Sequence, residues 1–468
     1  MIPETREEMF LSAVTDGSGA NLQPITREEM YLHAIATGGD TGLTPITRKE
    51  MFFDKILKSG GTGGSGGSTG GSTGGSGGSS VSVPAKEVNF YDYDGTLLHA
   101  YTVAEAQAMT ELPALPERPG LICQGWNWTL EDIKAHNRAV NVGATYTTDD
   151  GTTRIYIHLE EGRTSPMLGV RVNGTVTVDW GDGSSADVLT GSNEYENTQW
   201  TPTHEYSKPG DYVIRLFVYG KAGMWGNANA NLGPEILRHS ASADTRNKTY
   251  TRAIKKVEIG DNMDVNTDAF RDCGSVETIS LSNSVIRVNG STFRACGSLP
   301  FLVIPSVATY MDNSVCRDCY SLRGISIPNS VKVIGNETFY NCKAMKTVTF
   351  AKDATLNNQL FYYCYSLTNI ELTEGMSAIP NYLLAECPSL TRIAIPETVN
   401  TVNYGAFSNC FGVRYYDFTK HTAVPALAAT SAFNGIAADC EIRVPAALYD
   451  EWIAATNWAT YASYIKAV

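Results

Sequence analysis

Seven cysteines stand at nearly constant intervals in the C-terminal half of this chain. They are Cys273, Cys296, Cys319, Cys342, Cys364, Cys387 and Cys410, in steps of 23, 23, 23, 22, 23 and 23 residues. A period that regular excludes most folds, because each unit must bury its apolar face against the next copy of itself. Alignment on the cysteines brings out further columns. Three residues before them stand Phe270, Phe293, Cys316, Phe339, Phe361, Leu384 and Phe407. Three residues after stand Val276, Leu299, Leu322, Met345, Leu367, Leu390 and Val413. A short strand follows each unit: Ile279/Leu281, Leu302/Ile304, Ile325/Ile327, Val348/Phe350, Ile370/Leu372, Ile393/Ile395 and Tyr416/Phe418, with Val257/Ile259 as an earlier copy. Residues 253–440 are therefore expected to form one solenoid with the Phe and Cys columns inside. The cysteines read as small buried apolar residues. Cys316 and Cys319 have the spacing of a redox or zinc pair, but Cys319 is the ladder cysteine and Cys316 fills a Phe position. A lone pair also lacks the other half of a zinc site. No metal and no cofactor is expected.

The stretch from Ile327 to Cys342, Ile-Pro-Asn-Ser-Val-Lys-Val-Ile-Gly-Asn-Glu-Thr-Phe-Tyr-Asn-Cys, resembles the BspA-type leucine-rich repeat. The resemblance implies a right-handed β-solenoid-like stack used in surface adhesion and recognition. A terminal rung exposes apolar surface and a strand edge, so residues 441–468 are expected to be a helical cap built on Tyr449, Trp452 and Trp458. Two residues before the cysteines run Arg271, Arg294, Arg317, Tyr340 and Tyr362. Stacking places them in one column about 5 Å apart per rung. Tyr and Arg combine large contact area with versatile hydrogen bonding, so this column is the candidate ligand-binding site, for a host-surface glycan or protein. The competing reading is a solvated face.

A second repeat opens the chain. Pro3, Pro24 and Pro45 head similar segments 21 residues apart, and Thr5/Glu8, Thr26/Glu29 and Thr47/Glu50 have capping-box spacing. Three short helices are expected in residues 1–58. Helices this short are marginal alone, so they are expected to dock on a partner through Met9, Phe10, Met30, Tyr31, Met51 and Phe52. Residues 59–84, dominated by Gly, Ser and Thr, form a flexible linker with a span of about 25 Å. Whether that linker is natural stays open.

Residues 85–143 are expected to form a small α/β module. Its hairpin turns at Asp94-Gly95, Thr102 and Thr129 cap its helices, and Phe90, Leu97, Trp126 and Trp128 supply its core. The module loosely resembles a segment of structural proteins in phages of gut bacteria. Its run Asp92-Tyr-Asp-Gly-Thr-Leu also resembles the first motif of haloacid-dehalogenase-type phosphatases, but no alternating β/α pattern follows. Residues 144–222 alternate apolar and polar positions. Trp180-Gly-Asp-Gly and the run from His204 to Leu216 resemble the hallmark motifs of PKD-type immunoglobulin-like domains, which implies a β-sandwich. Asp179, Asp182 and Asp211 read as turn residues, with a calcium site as the alternative. Residues 223–252 are a connector. The fold class is thus multidomain and mainly β.

The net charge of −13 argues against nucleic acid, which needs a basic footprint. No apolar run is long enough to insert into a membrane, and the first residues lack the pattern of a signal peptide. The Pro-Ile-Thr-Arg-Glu-Glu-Met-Tyr segments resemble N-terminal repeats of structural proteins in phages of Firmicutes. The expected function is a non-enzymatic virion fibre or adhesin. On this reading it is made in the host cytoplasm and held on a capsid or tail protein through residues 1–58. A BspA-type bacterial cell-surface adhesin is the alternative, and a phosphatase using Asp92 the remote one. Ligand, head or tail location and homo-oligomeric state stay open.

Overall fold

The computed structural model describes residues 86–192, 198–225, 236–238, 250 and 252–468. All fall in the second of two compact units, Val83–Val468. The segments expected to anchor the chain, with Met9, Phe10, Met30, Tyr31, Met51 and Phe52, the whole linker and most of the connector lie outside the described residues.

The described part opens with the hairpin β1 (Val88–Tyr91) and β2 (Leu97–Tyr101). Gly95 donates to the Asp92 carbonyl at 3.0 Å and takes φ +85°, which disfavours any side chain. A Cβ there would also stand 2.5 Å from Phe301. Thr102 forms the expected capping box with Glu105 at the start of α1 (Val103–Ala108). Strand β3 (Leu121–Trp126) leads to α2 (Leu130–His136), capped by Thr129 and stopped by Asn137 in a left-handed conformation. Strand β4 (Val140–Thr148) pairs with β1 in parallel and with β3 antiparallel, in the order β2-β1-β4-β3. Phe90, Trp128, Ile133, Val140 and Val142 form the core, with Trp126 partly buried against it. Leu97 is exposed, contrary to the expected core: it lies on the outer strand of the hairpin, where the strand period turns it outward.

This module is not free-standing. It lies on the flank of the solenoid, and all nine residues of β4 are buried. Asn127 Nδ2 donates to the Ile304 carbonyl at 2.8 Å, and Trp128 Nε1 to the Ile327 carbonyl at 2.9 Å. Ser326 Oγ donates to the Asn141 carbonyl at 2.6 Å. A Cβ on Gly143 would stand 2.5 Å from Val303, so the backbones approach as closely as glycine permits.

The strands expected to form a PKD-like sandwich are instead hydrogen-bonded in one sheet that runs into the solenoid. They are β5 (Thr153–Leu159), β6 (Gly169–Asp179), β7 (Asp187–Gly191), β8 (Thr198–Trp200) and β9 (Gly210–Met224). With the first solenoid strands β10 (Ile254–Glu258), β11 (Met263–Val265) and β12 (Thr278–Ser280), the order is β12-β10-β5-β9-β6-β7. Strand β11 is added on β9, and β8 on β6. The physical reason is edge protection. A solenoid begins with an unpaired strand edge and an open apolar core. Here β5 covers the edge of β10, aligning Ile155 with Val257, and the end of β9 covers β11. One apolar cluster then runs from Ile155 through the rungs to Ile465. At the junction Glu258, 3 % exposed, accepts from Tyr156 Oη at 2.9 Å and pairs with Lys256 at 2.7 Å.

In the solenoid every predicted column is buried: the Phe column, the cysteines, the Val/Leu/Met column and both strand positions. Two sets of short parallel strands stack in register, for example Phe301–Val303 on Gly324–Ser326 and Tyr310–Met311 on Val333–Ile334. The third side is a tight turn ending at each ladder cysteine. Its residues five and one before the cysteine take left-handed conformations in every rung, such as Ser291 and Ala295, or Glu337 and Asn341. Among these positions only Gly405 is glycine, so the conformation carries a steric cost. Hydrogen bonds between rungs offset it: Ser291, Phe293 and Ala295 donate to the carbonyls of Asn313, Val315 and Arg317 at 2.8–2.9 Å. The cysteines add a ladder of their own. Cys296, Cys319, Cys342, Cys364, Cys387 and Cys410 each donate Sγ–H to the Phe-column carbonyl of the preceding rung, at 3.0–3.2 Å. A thiol suits this place because it is apolar enough to bury and still donates.

The ladder continues past Cys440. Glu441–Val444 pairs with Tyr415–Asp417 and then with Ile465–Ala467. Between them lies α3 (Tyr449–Ala454), only six residues long, so the expected helical cap is completed by a strand. Trp452 and Trp458 are fully buried, and Trp458 Nε1 donates to the Pro425 carbonyl at 2.7 Å.

Candidate binding surface

The turn side is the face of the solenoid where most of its exposed large apolar side chains stand. Inter-rung bonds from Asp272, Ala295, Asp318 and Asn341 to Arg294, Arg317, Tyr340 and Tyr362 put the five predicted residues in one column. The column divides in two. Its arginines are met by acids of their own turn or the next: Arg271 with Asp268 at 3.1 Å, Arg294 with Asp318 at 3.8 Å, and Arg317 with Asp318 and Glu337. Arg317 also lies over the Tyr340 ring at 4.3 Å. Below it Tyr340 and Tyr362 stack at 5.3 Å with planes 12° apart. The positive charge is therefore largely answered within the column.

That aromatic half is larger than the column read from the sequence. Tyr363, immediately before Cys364, packs edge-on against Tyr362 at 4.2 Å and Tyr340 at 5.6 Å. Tyr382 packs edge-on against Tyr362 at 5.8 Å, while its ring covers Gly405. Partial burial, then the contact with Tyr363, pushes the Tyr362 hydroxyl up, so it stays a neutral donor. A further column lies one residue after the cysteines, where Tyr320, Lys343, Tyr365 and Phe411 stand. Lys343 Nζ lies over the rings of Tyr320 and Tyr365, 5.4 and 5.7 Å from their centroids. This column was open to the same alignment, and the signal was two tyrosines and a phenylalanine recurring at alternate rungs. Of the seven large apolar side chains exposed in residues 253–468, five lie on this face: Tyr320, Tyr365, Tyr382, Tyr404 and Phe411.

The other candidates are occupied by structural partners. Asp92 is 1 % exposed and bound to Arg118, whose Nε lies 2.6 Å from its carboxylate, so it is closed to a substrate. Cys316 and Cys319 are both free and fully buried. Asp179 accepts from Gly181 N at 2.9 Å, Asp182 pairs with His204 at 2.9 Å, and Asp211 with His158 at 2.7 Å. Burial opposes ionisation of Asp182, but hydrogen bonds from Ser184 and His204 outweigh it and bring its pKa down to about 2. Among the described residues no cluster of three or more His, Cys, Asp or Glu is placed to hold a metal ion. Nor is any helix there long and apolar enough to cross a membrane. Where the docked module ends, Arg138, Glu371, Glu374 and Lys420 border a cleft of about 610 Å³, with Arg138 paired to both glutamates.

Residues 249–356 and 309–434 match the model of the BspA type leucine rich repeat region, in six copies. Similar solved structures include a leucine rich repeat protein of T. pallidum, 24 % identical over 25 % of this chain and 57 % of that one, with a TM-score of 0.24. A leucine-rich repeat protein of Bacteroides ovatus is 19 % identical over 46 % of this chain and 66 % of its own, with a TM-score of 0.31. A leucine rich cell surface protein of Faecalibacterium prausnitzii is 15 % identical over 49 % and 84 %, with a TM-score of 0.20. The chain thus spans less than two thirds of the first two structures. No curated protein matches.

Proposed function

We propose that this chain is a non-catalytic recognition protein that displays its BspA-type repeats on a biological surface and binds ligand through their turn face. The observation that carries the reading is the concentration of exposed aromatic side chains on that one face, where they fill no core. Isolated exposed apolar residues need no explanation, but a contiguous set on one face marks an interaction site. On this reading residues 1–58 attach the chain to a carrier and residues 59–84 let the payload sweep around it. The carrier is a phage virion, a reading supported by the resemblance of the three N-terminal segments. The second reading, a bacterial cell-surface adhesin, is supported by the BspA-type match over residues 249–434.

Two measurements test this. Beads coated with the full chain are expected to be retained on host bacteria, and the variant Tyr340→Ala/Tyr362→Ala to be retained much less. Equal retention of both would refute the turn face as the binding surface. Mass spectrometry of purified virions, set against surface labelling of uninfected cells, separates the two carriers.

A further inference from the structure

The exposed rings of the turn face have a spacing as well as a location. Tyr320, Tyr365 and Phe411 each follow a ladder cysteine, Cys319, Cys364 and Cys410, and so occupy one column at alternate rungs. The rungs between carry Lys343 and Pro388 in the same column. Lys343 Nζ, 5.4 Å from one ring centroid and 5.7 Å from the other, shows that the first two rings stand one rung to either side of it. The three rings are 47 %, 41 % and 56 % exposed. With parallel strands about 4.8 Å apart, alternate rungs repeat at about 10 Å.

We propose that this column is the docking track of a neutral, linear glycan with equatorial linkages, of the cellulose or chitin type, with every second sugar against one ring. The proposal rests on the recognition function given above and names its ligand class. In an extended chain of equatorially linked pyranoses, successive sugars are turned over. Every second unit therefore presents the same C–H face to one side, and this two-sugar repeat runs in step with rings on alternate rungs. Axially linked chains coil and do not keep that register. A β-strand peptide does not match either, because its same-side repeat is about 6.6 Å. A polyproline helix repeats at about 9.3 Å, nearer the track, but it lacks N–H donors. Beside the donor Lys343 Nζ stand two acceptors, the carboxylates of Asp318 and Glu386, held by Asn341 Nδ2 at 2.9 Å and by Asn409. Carboxylates accept from sugar hydroxyls and have nothing to accept from proline. The ligand is neutral because Arg317 is already bound by Asp318 and Glu337, which leaves in the track the single cation Lys343 and no cluster for a sulfated chain.

The test is calorimetric titration of the full chain with cellohexaose, chitohexaose, maltohexaose and decaproline. Cellohexaose or chitohexaose is expected to bind, and the two arms distinguish the sugar. Tyr320→Ala, Tyr365→Ala and Phe411→Ala should each weaken binding about tenfold or more. Tyr219→Ala, on the eight-stranded sheet and 85 % exposed, should leave it unchanged, and thermal melting checks that each variant is folded. The proposal is overturned if neither equatorial hexaose binds, if maltohexaose binds as tightly, if decaproline binds instead, or if the three column variants bind like the wild type. Should the beads be retained through Tyr340 and Tyr362 while no hexaose binds, the recognition function stands and only the glycan assignment falls.

Discussion

Replacing Phe339 by alanine tests the repeat alignment at its centre. Phe339 is fully buried and stacks on Phe361 of the next rung at 5.6 Å, with planes 13° apart. A buried Phe removes about 150–250 Å² from water, and at about 25 cal/mol per Å² its transfer alone contributes about 4–6 kcal/mol against an extended chain. Alanine retains part of that and the cavity left behind adds to the loss, so the expected cost is about 3–5 kcal/mol. Collapse around the site is limited, because hydrogen bonds between rungs hold Phe339 N to the Leu360 carbonyl and Cys364 Sγ to the Phe339 carbonyl. Stability in a solenoid passes between neighbouring rungs, so the loss should be felt beyond the mutated one. The assay is urea unfolding followed by tryptophan fluorescence. Trp128 reports the docked module, Trp180 the eight-stranded sheet, and Trp452 and Trp458 the C-terminal end. The midpoint should fall for all of them. A loss below about 1 kcal/mol would be the size of a surface change, and would show that the Phe column is not the core it is taken to be.

Three further outcomes are expected. Under native conditions only Cys123 should react with a thiol reagent, and all ten cysteines in denaturant, because the other nine are buried and burial pushes thiols such as Cys364 and Cys410 up to about 12; native labelling of more than one would refute it. Burial, then the charges of Lys352 and Arg138, lowers the His136 pKa from 6.5 to about 4. The folded state thus binds fewer protons than the unfolded one between those values, so the stability present above pH 6.5 should decline as pH falls to 4, by at most about 3 kcal/mol. His136→Gln should remove that part of the pH dependence of the urea midpoint, and an unchanged profile would contradict the assignment. Asn127→Ala, which leaves backbone groups of the docked face unpaired, should cost about 1–3 kcal/mol and raise hydrogen exchange in β4; unaltered exchange there would mean that the module is held by other contacts.

How much was legible depended on whether a signal was local and repeated. The Phe and Cys columns, the capping box at Thr102 and the hairpin at Gly95 are short-range patterns, and each stands where the residues predicted. The residues Arg271 to Tyr362 stack in one column as aligned, yet the column's division into a neutralised arginine half and a half-buried tyrosine half depends on acids from neighbouring rungs. Asp318, for instance, serves both Arg294 and Arg317. The reading of residues 144–222 as a separate sandwich missed because strand alternation says which face is buried and not which strand lies beside it. Ile155 alternates as well beside Val257 of the solenoid as it would inside a sandwich of its own.

The solenoid follows from the repeat, because a 23-residue period leaves each unit only its own neighbours to bury against. The repeat also determined which residues point inward, because side-chain direction follows from strand period and turn position. What closes the solenoid and what covers its flank were set by contacts between segments distant in the chain. The open first rung is completed by β5 and β9, and the Ile304 and Ile327 carbonyls by Asn127 and Trp128. Ile155 and its partner Val257 are 102 residues apart, and the hydrogen-bonded pairs on the flank are 177 and 199 residues apart. No local pattern encodes such a pairing, because an exposed strand edge accepts any strand of the right length and alternation, and the choice is made only when the whole core closes.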